Sequence, residues 1–228
     1  MKRIDANDKS VYGDSYINSY KKKRNEGRID RIFKYVNVNS TDNVLDVGCG
    51  SGYLYPFIDN LGANYIGIDE SKLFVEEAKS NFETSSKKNL FSNVSLSTLA
   101  KNNMKNFSKV FLLDVTEHLT DEEIVNVLND SYDLMSPGGQ LIIHTPNLNF
   151  ILEQLKQHKV LKQTEGHIGV RNSKMYIELF RNSKFGNNYR GYFLSHYLKS
   201  LKPLKILTYV PLFGKLFEAR LLFILNKA

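Results

Sequence analysis

The sequence predicts an α/β fold in which a mostly parallel, doubly wound sheet is covered by helices on both faces. From residue 43 onwards, short apolar runs alternate with segments that have the spacing of amphipathic helices. Some of these runs are continuously apolar, such as 110–113 and 141–143, which is typical of strands buried on both faces. The 228 residues, of which 42% are hydrophobic, provide enough apolar material for one domain with a substantial core.

Strand positions follow from where the apolar runs begin and end. Before residue 150 they predict five strands, at Asn43–Val47, Asn64–Asp69, Asn93–Ser97, Lys109–Asp114 and Gln140–Thr145. After Pro146 the pattern loosens, and it predicts a strand at Tyr189–Phe193 and a final strand at Ala219–Asn226.

Three helices have clear signals of their own. Apolar residues at positions 29, 32, 33 and 36 form the stripe of a leading helix. Thr120 and Glu123 form a capping box that begins a helix running to about Met135, and Pro137–Gly139 is expected to end it. A further helix is predicted at Ser173–Arg181.

Charge is distributed unevenly along the chain, and the net charge is +7. Residues 1–31 hold 9 basic and 5 acidic residues, residues 32–150 hold 8 and 15, and residues 151–228 hold 14 and 4. The last block therefore carries +10, which would attract phosphate, nucleic acid or an anionic membrane. A solvated basic face is the simpler interpretation.

We interpret residues 1–228 as one domain with three regions: an N-terminal helical cap (1–40), a cofactor-binding core (41–150) and a substrate-side region (151–228). The last region contains an amphipathic insert (194–217), in which apolar residues and lysines are interrupted by Pro203 and Pro211. This insert is expected to cover a substrate pocket or to contact a membrane. The single cysteine and the lack of a signal peptide or a long apolar run lead us to expect a cytoplasmic protein.

The strongest local motif is the segment 44–52, VLDVGCGSG, in which a buried strand runs into a loop with glycine at every second position. Glycines allow the backbone to approach a ligand where a Cβ atom would collide with it. Asp69 ends the next strand, 21 residues after Gly48, where a carboxylate can accept hydrogen bonds from both ribose hydroxyls. Together the two features predict an adenosine-containing cofactor at the carboxyl edge of the sheet.

The glycine spacing separates this loop from a dinucleotide site. Gly48, Gly50 and Gly52 do not form the Gly-x-Gly-x-x-Gly pattern, and the loop has no basic residue for a phosphate. Segment 44–52 resembles motif I of class I S-adenosylmethionine-dependent methyltransferases, and Pro137–Gly139 stands where that family usually has it. The resemblance implies a Rossmann-like sheet of seven strands with the last antiparallel.

The resemblance also implies roles for individual residues around S-adenosylmethionine. Asp46, Gly48 and Gly50 would surround the methionine part with Cys49 in the same loop, Asp69 and its neighbour Glu70 would lie at the ribose, and Leu113 would lie near the cofactor. Arg28 resembles an arginine that some relatives use on the cofactor carboxylate. The family commonly has an acidic residue after its third strand, and here Ser97-Thr98-Leu99 stands instead, so Thr98, Leu99 or backbone groups would contact the adenine.

A second group of polar residues follows the fourth strand. Asp114, Glu117 and His118 have i, i+3, i+4 spacing, which places them on one face of a helical turn. With Thr145-Pro146-Asn147 and His167, this segment is similar to ubiquinone-biosynthesis O-methyltransferases and to small-RNA 3′-end 2′-O-methyltransferases. In those groups a Glu-x-x-Glu-His turn holds a divalent cation, completed in the RNA enzymes by a later histidine, whereas here Asp114 replaces the first glutamate.

Three interpretations of this turn stay open from the sequence. Asp114, Glu117, His118 and His167 could hold Mg²⁺ or Mn²⁺, which would lower the pKa of an acceptor hydroxyl. His118 or His167 could instead act as a general base without a metal. The turn could also simply lead into the capped helix.

The sequence therefore predicts methyl transfer from S-adenosylmethionine to an oxygen of a small or lipid-like acceptor. The amphipathic insert favours a lipid-like acceptor and peripheral membrane contact. The basic last block favours an alternative, RNA 2′-O-methylation. A non-catalytic S-adenosylmethionine-binding protein is a third hypothesis, and an NAD-dependent dehydrogenase is a distant fourth.

Overall fold

The computed structural model describes residues 26–102, 106–164, 166–195 and 214–228. Within these ranges seven strands form one sheet, in the order β3-β2-β1-β4-β5-β7-β6. Strand β7 is antiparallel to both of its neighbours, and the other pairs are parallel. The strands are β1 (Asn43–Val47), β2 (Asn64–Ile68), β3 (Phe91–Ser92), β4 (Phe107–Leu113), β5 (Met135–Pro146), β6 (Tyr189–Leu194) and β7 (Arg220–Asn226).

Helices cover both faces of this sheet, and each face has its own apolar cluster. Side chains of α1, α2 and α3 pack on one face, and those of α4, α5 and α7 pack on the other. The helices are α1 (Glu26–Ile32), α2 (Tyr55–Asn60), α3 (Lys72–Phe82), α4 (Leu96–Lys101), α5 (Asp121–Leu134), α6 (Ile151–Gln157) and α7 (Ser173–Arg181). Alternate residues of one strand enter opposite clusters, as Leu112 and Phe111 do, because side chains of a strand point to alternate faces. The predicted fold class is confirmed.

Several elements were predicted closely because their signals are local. Strand β1 and helix α7 have the predicted bounds. The capping box of α5 is present: the Glu123 N–H donates to the Thr120 hydroxyl (3.3 Å), and the Thr120 N–H donates to the Glu123 carboxylate (2.9 Å). Helix α5 ends at Leu134, one residue before the predicted end, but Pro137–Gly139 lie within β5, which begins five residues earlier than predicted.

The third strand was predicted in the wrong place. Strand β3 covers only Phe91–Ser92, and the predicted segment lies after it: residues 93–95 are in neither a helix nor a strand, and Leu96 and Ser97 belong to the start of α4. The cause is a helix cap: the Ser95 hydroxyl accepts a hydrogen bond from the Thr98 N–H (3.2 Å). The leading helix is also shorter than predicted, since α1 ends at Ile32.

The carboxyl ends of β1, β2, β4 and β5 lie along one edge of the sheet because these strands are parallel. The register of β7 brings its first residue, Arg220, opposite Pro146 at the end of β5. The same edge therefore collects residues from distant parts of the chain. No helix in the described part of the chain has the length and apolar character to span a bilayer. Residues 1–25 of the predicted cap and 196–213 of the predicted insert lie outside the described residues.

Candidate functional site

The loop after β1 is shaped by glycines. Gly48 has φ of +69°, and the N–H groups of Gly48 and Cys49 both donate to the Ile68 carbonyl (2.8 and 3.0 Å). A Cβ atom at position 48 would lie 2.6 Å from a methyl carbon of Val115. The loop thus packs against the segment that follows β4, and only glycine fits both the backbone conformation and the space.

Asp69 follows β2 and ties this loop to the next turn. One carboxylate oxygen accepts from the Gly50 N–H (2.9 Å), and the other accepts from the Ser71 N–H (2.8 Å). Burial raises the pKa of Asp69, while these two bonds act in the opposite direction. The Asn93 carboxamide donates to the carbonyls of Asp69 and of exposed Glu70, at 2.9 Å each. Asn93, which follows β3, thus contacts the backbone at the carboxyl end of β2.

Asp46 lies beneath the loop with its side chain almost fully enclosed. Burial raises its pKa from 3.8 to about 7, although the Tyr65 hydroxyl donates to its carboxylate (2.8 Å). The nearby charge of Asp69 adds to the increase. Cys49 is buried beside it, and burial raises the pKa of its thiol well above the ordinary value. The Asp46 carboxyl is therefore poised to change protonation when a cation binds near it.

Four charged or titratable side chains meet at the end of β4. Asp114 binds Arg28 of α1 and Arg220 of β7, the latter at 2.8 Å, and the His144 Nδ1 atom lies 3.1 Å from its carboxylate. Burial would raise the pKa of Asp114, but the two guanidinium groups and His144 hold it well below its usual range. Asp114 is therefore an ionised anchor for two arginines that lie far apart in the sequence.

Glu117, His118 and His167 form a second group, called here the Glu-His cluster. One ligand atom of each residue lies within 4.8 Å of the others. The His118 and His167 rings are perpendicular, with centroids 5.0 Å apart, and the His167 Nε2 atom is 4.0 Å from a Glu117 oxygen. The described residues that form this group do not include Asp114.

A hydrogen bond determines the tautomer of His118, and burial favours the neutral form of both histidines. The His118 Nδ1 atom lies 2.9 Å from the Gly166 carbonyl, which can only accept, so Nδ1 carries the proton and Nε2 has a free lone pair. Burial lowers the pKa of His118, and burial with the nearby His118 lowers that of His167 to about 3. The buried His167 Nδ1 atom has no hydrogen-bond partner among the described residues.

Glu117 is the acidic member of the cluster and is almost fully buried. Burial and the charge of Asp114 raise its pKa to about 8. The Thr145 hydroxyl donates to its carboxylate at 3.3 Å, and the Tyr176 hydroxyl lies 2.7 Å from the Thr116 hydroxyl and 3.3 Å from that of Thr145. These neutral groups leave Glu117 in need of a positive partner before it can ionise easily.

Other predicted residues lie in different surroundings. Leu113 is buried at the end of β4. Thr98 is exposed on α4, and Leu99 of the same helix is buried in the apolar cluster against the sheet. Asn93 and Arg220 were missed by sequence reasoning. A correct end for β3 would have pointed to Asn93, whereas no local signal indicates Arg220.

The sheet order, the glycine loop with its acidic partner and the polar cluster at the same edge define a class of α/β proteins that bind a nucleoside-containing cofactor. The chain belongs to the methyltransferase domain family, whose model matches residues 17–187.

Curated relatives match about half of the chain. A ubiquinone biosynthesis O-methyltransferase of Dechloromonas aromatica is 33% identical over 122 residues, which are 54% of this chain and 51% of the relative. One from Bradyrhizobium is 29% identical over 124 residues, 54% of this chain and 47% of the relative. The chain spans about half the length of these curated relatives.

Solved structures show the same fold over most of the chain. A SAM-dependent methyltransferase from Archaeoglobus fulgidus has a TM-score of 0.71 at 17% identity and covers 94% of this chain and 100% of its own. Magnesium protoporphyrin IX methyltransferase from Synechocystis, solved with bound SAH, has a TM-score of 0.62 at 19% identity. The match covers 96% of this chain and 92% of that structure.

Proposed function

We propose that this protein transfers a methyl group from S-adenosylmethionine to an oxygen of a small or lipid-like acceptor. The observation that carries the proposal is that the glycine loop after β1 and the segment after β4, which carries Glu117 and His118, follow neighbouring parallel strands, and that Gly48 packs against Val115 of that segment. A cofactor held by the loop would therefore present its methyl group beside titratable side chains. Family membership and the ubiquinone O-methyltransferase relatives support this assignment.

The cofactor would lie along the residues of the first three strands. Asp69 would accept hydrogen bonds from the ribose hydroxyls, and Asn93 fixes the backbone beside it. Asp46 and the loop from Gly48 to Gly50 would surround the methionine part, where ionised Asp46 would offset the sulfonium charge. Arg28 could reach the cofactor carboxylate only by sharing or exchanging its contact with Asp114.

The Glu-His cluster fits a divalent cation such as Mg²⁺ or Mn²⁺. His118 donates from Nδ1 to a carbonyl and keeps Nε2 available, which is the arrangement common in metal-binding histidines. Glu117 is buried without an ionised cationic partner in the cluster, so a cation would lower its raised pKa. When bound, the metal would supply a positive charge that favours deprotonation of the acceptor hydroxyl.

The residues of the chain would perform the remaining work. The acceptor oxygen would attack the methyl carbon in line with the sulfonium sulfur, the sulfur would keep the bonding electrons, and S-adenosylhomocysteine would leave. Neutral His118 could take the hydroxyl proton through Nε2 if no metal is bound. The main contribution of the protein would be alignment, because the sulfonium is already activated.

Transfer of radiolabelled methyl from S-adenosylmethionine into a cell extract tests the proposal. The extract is separated into organic-soluble, RNA and small polar fractions, with added Mg²⁺ or with EDTA. His118→Ala is compared with His158→Ala, which changes an exposed histidine outside the cluster. We expect label in the organic or small polar fraction, lost in His118→Ala and retained in His158→Ala.

Each of the other outcomes would support a different hypothesis. Label in RNA would overturn the small-molecule acceptor and support 2′-O-methylation. No label in any fraction, together with S-adenosylhomocysteine binding in a separate calorimetric titration, would support a non-catalytic cofactor-binding protein. Full activity in EDTA would exclude a required metal and leave His118 as the base. Membrane contact through 194–217 stays a prediction, because 196–213 lie outside the described residues. A cytoplasmic location also stays a prediction.

A further inference from the structure

Arg171 is a buried cation that contacts both segments of the Glu-His cluster. Its side chain is 5% exposed, and its Nε atom donates to the Asp121 carboxylate at 2.6 Å. One terminal nitrogen donates to the carbonyls of Thr116 (3.2 Å) and Gly169, and the other donates to the Leu119 carbonyl (2.8 Å). A single guanidinium group thus joins three backbone carbonyls and one carboxylate.

These carbonyls lie immediately around the cluster in the sequence. Thr116 precedes Glu117, Leu119 follows His118, and Gly169 lies two residues after His167. Other hydrogen bonds also cross this junction: the His118 ring donates to the Gly166 carbonyl, and the N–H groups of Ile168 and Gly169 both donate to the Glu117 carbonyl at 3.1 Å. Residues 166–170 are in neither a helix nor a strand, so the Arg171 contacts act together with these hydrogen bonds to hold the segment in place.

The chemistry of this contact requires arginine. A guanidinium group has five N–H donors in a fixed plane, whereas a lysine ammonium group is a single point charge. Gly169 makes room for the group, because a Cβ atom there would lie 2.8 Å from both terminal nitrogens of Arg171. Gly169 has no positive φ, so alanine at this position would displace the guanidinium without straining the backbone.

We infer that Arg171 is a positioning residue for methyl transfer: it holds the turn that carries Glu117 and His118 against the segment that carries His167. Arg171 would not touch the substrate or the cofactor. The inference rests on the proposed function, but the contact it assigns can be measured without an acceptor.

Residue-resolved hydrogen exchange tests the contact itself. In Arg171→Gln we expect the Ile168 and Gly169 amides to exchange about tenfold faster, since a charged hydrogen-bond network at the junction is lost. The amides of Gly48 and Cys49, which donate to Ile68 in the cofactor loop, should keep their protection. Unchanged exchange at Ile168 and Gly169 would overturn the inference.

Matched variants separate the position of Arg171 from its charge. Arg171→Lys keeps the charge and should recover only part of the protection. Gly169→Ala keeps the arginine but displaces its guanidinium group, so the Ile168 amide should exchange faster, as it does in Arg171→Gln. Arg181→Gln removes an exposed arginine of α7 that contacts Asn187, and should change neither amide. Equal acceleration in Arg181→Gln would show that the effect is not specific to Arg171.

Two functional measurements distinguish positioning from general support of the fold. In Arg171→Gln the transfer rate at saturating S-adenosylmethionine should fall about tenfold or more, while the Kd for S-adenosylhomocysteine stays within about twofold. Mn²⁺ binding, followed by electron paramagnetic resonance of the free ion, should weaken in parallel. Loss of cofactor binding and of Gly48 protection together would mean that Arg171 only supports the fold, which overturns its positioning role.

Failure of the proposed function would give a different experimental result. Wild-type protein that neither binds S-adenosylhomocysteine nor transfers methyl would refute the proposed function, and with it the catalytic part of the inference. The exchange rates of Ile168 and Gly169 would still decide whether Arg171 holds the two segments together.

Discussion

Replacement of Asp46 by asparagine should change how stability depends on pH. Burial raises the pKa of Asp46 from 3.8 to about 7, so the folded protein keeps this proton where the unfolded chain has released it. Because the native state binds more protons between these two values, the Asp46 contribution to stability is lost as the pH rises through that window. The contribution falls by about 2 kcal/mol between pH 5 and pH 7.

Asparagine has the shape of aspartate but does not titrate, and its carbonyl oxygen can still accept from the Tyr65 hydroxyl. The free energy of unfolding in urea is measured at pH 5 and pH 7 for both proteins without cofactor. The chain has no tryptophan, so far-UV circular dichroism follows the transition. Between pH 5 and pH 7, the free energy of unfolding of Asp46→Asn should rise by about 2 kcal/mol relative to that of the wild type.

Asp30→Asn serves as the control because it replaces an exposed carboxylate on α1. Its difference from wild type should change far less over the same pH range. The reasoning is refuted if the difference between Asp46→Asn and wild type is the same at both pH values, or if it changes with the opposite sign. Either result would mean that Asp46 is ionised in the folded protein well below neutral pH.

Three substitutions test other parts of the site. Asp69→Ala should weaken S-adenosylhomocysteine binding by about 1–3 kcal/mol, because the ribose hydroxyls and two backbone N–H groups lose their acceptor; unchanged affinity in calorimetry would remove the ribose role. His118→Ala should abolish methyl transfer at saturating cofactor while the Kd for S-adenosylhomocysteine is preserved, and surviving activity would make this histidine structural. Gly48→Ala should lower the free energy of unfolding by about 1–3 kcal/mol, because φ is positive and Val115 occupies the space; an unchanged urea midpoint would contradict this.

Local signals account for the parts of the fold that the sequence predicts well. The capping box of α5 and the continuous apolar run of β4 are specified by residues close together in the chain, so their positions could be predicted. Strand β3 has only two residues, which is too short for a period to be recognised. Ser95 as a helix cap then decides the next segment, and the apolar alternation around it is compatible with either structure.

The site shows the same division between local and distant information. The glycine loop and Asp69 could be predicted because a loop pattern and a strand end suffice to locate them. Arg220 is 106 residues from Asp114 and reaches it only through the register of β7 on β5. Arg171 binds mostly backbone carbonyls, which every residue has, so its contacts cannot be predicted from a pattern of side chains in the sequence.

The sequence spacing predicts Asp114 and Glu117 on the same face of one turn, but the two carboxylates have different environments. Two guanidinium groups hold the pKa of Asp114 low, whereas burial among neutral groups and the charge of Asp114 raise that of Glu117. Asp114 is therefore already neutralised by the protein, while Glu117 gains most from an added cation. Glu117 accordingly lies with two histidines in the Glu-His cluster, of which Asp114 is not a member. Environment, and not the i, i+3, i+4 spacing alone, therefore separates the ionisation of the two carboxylates.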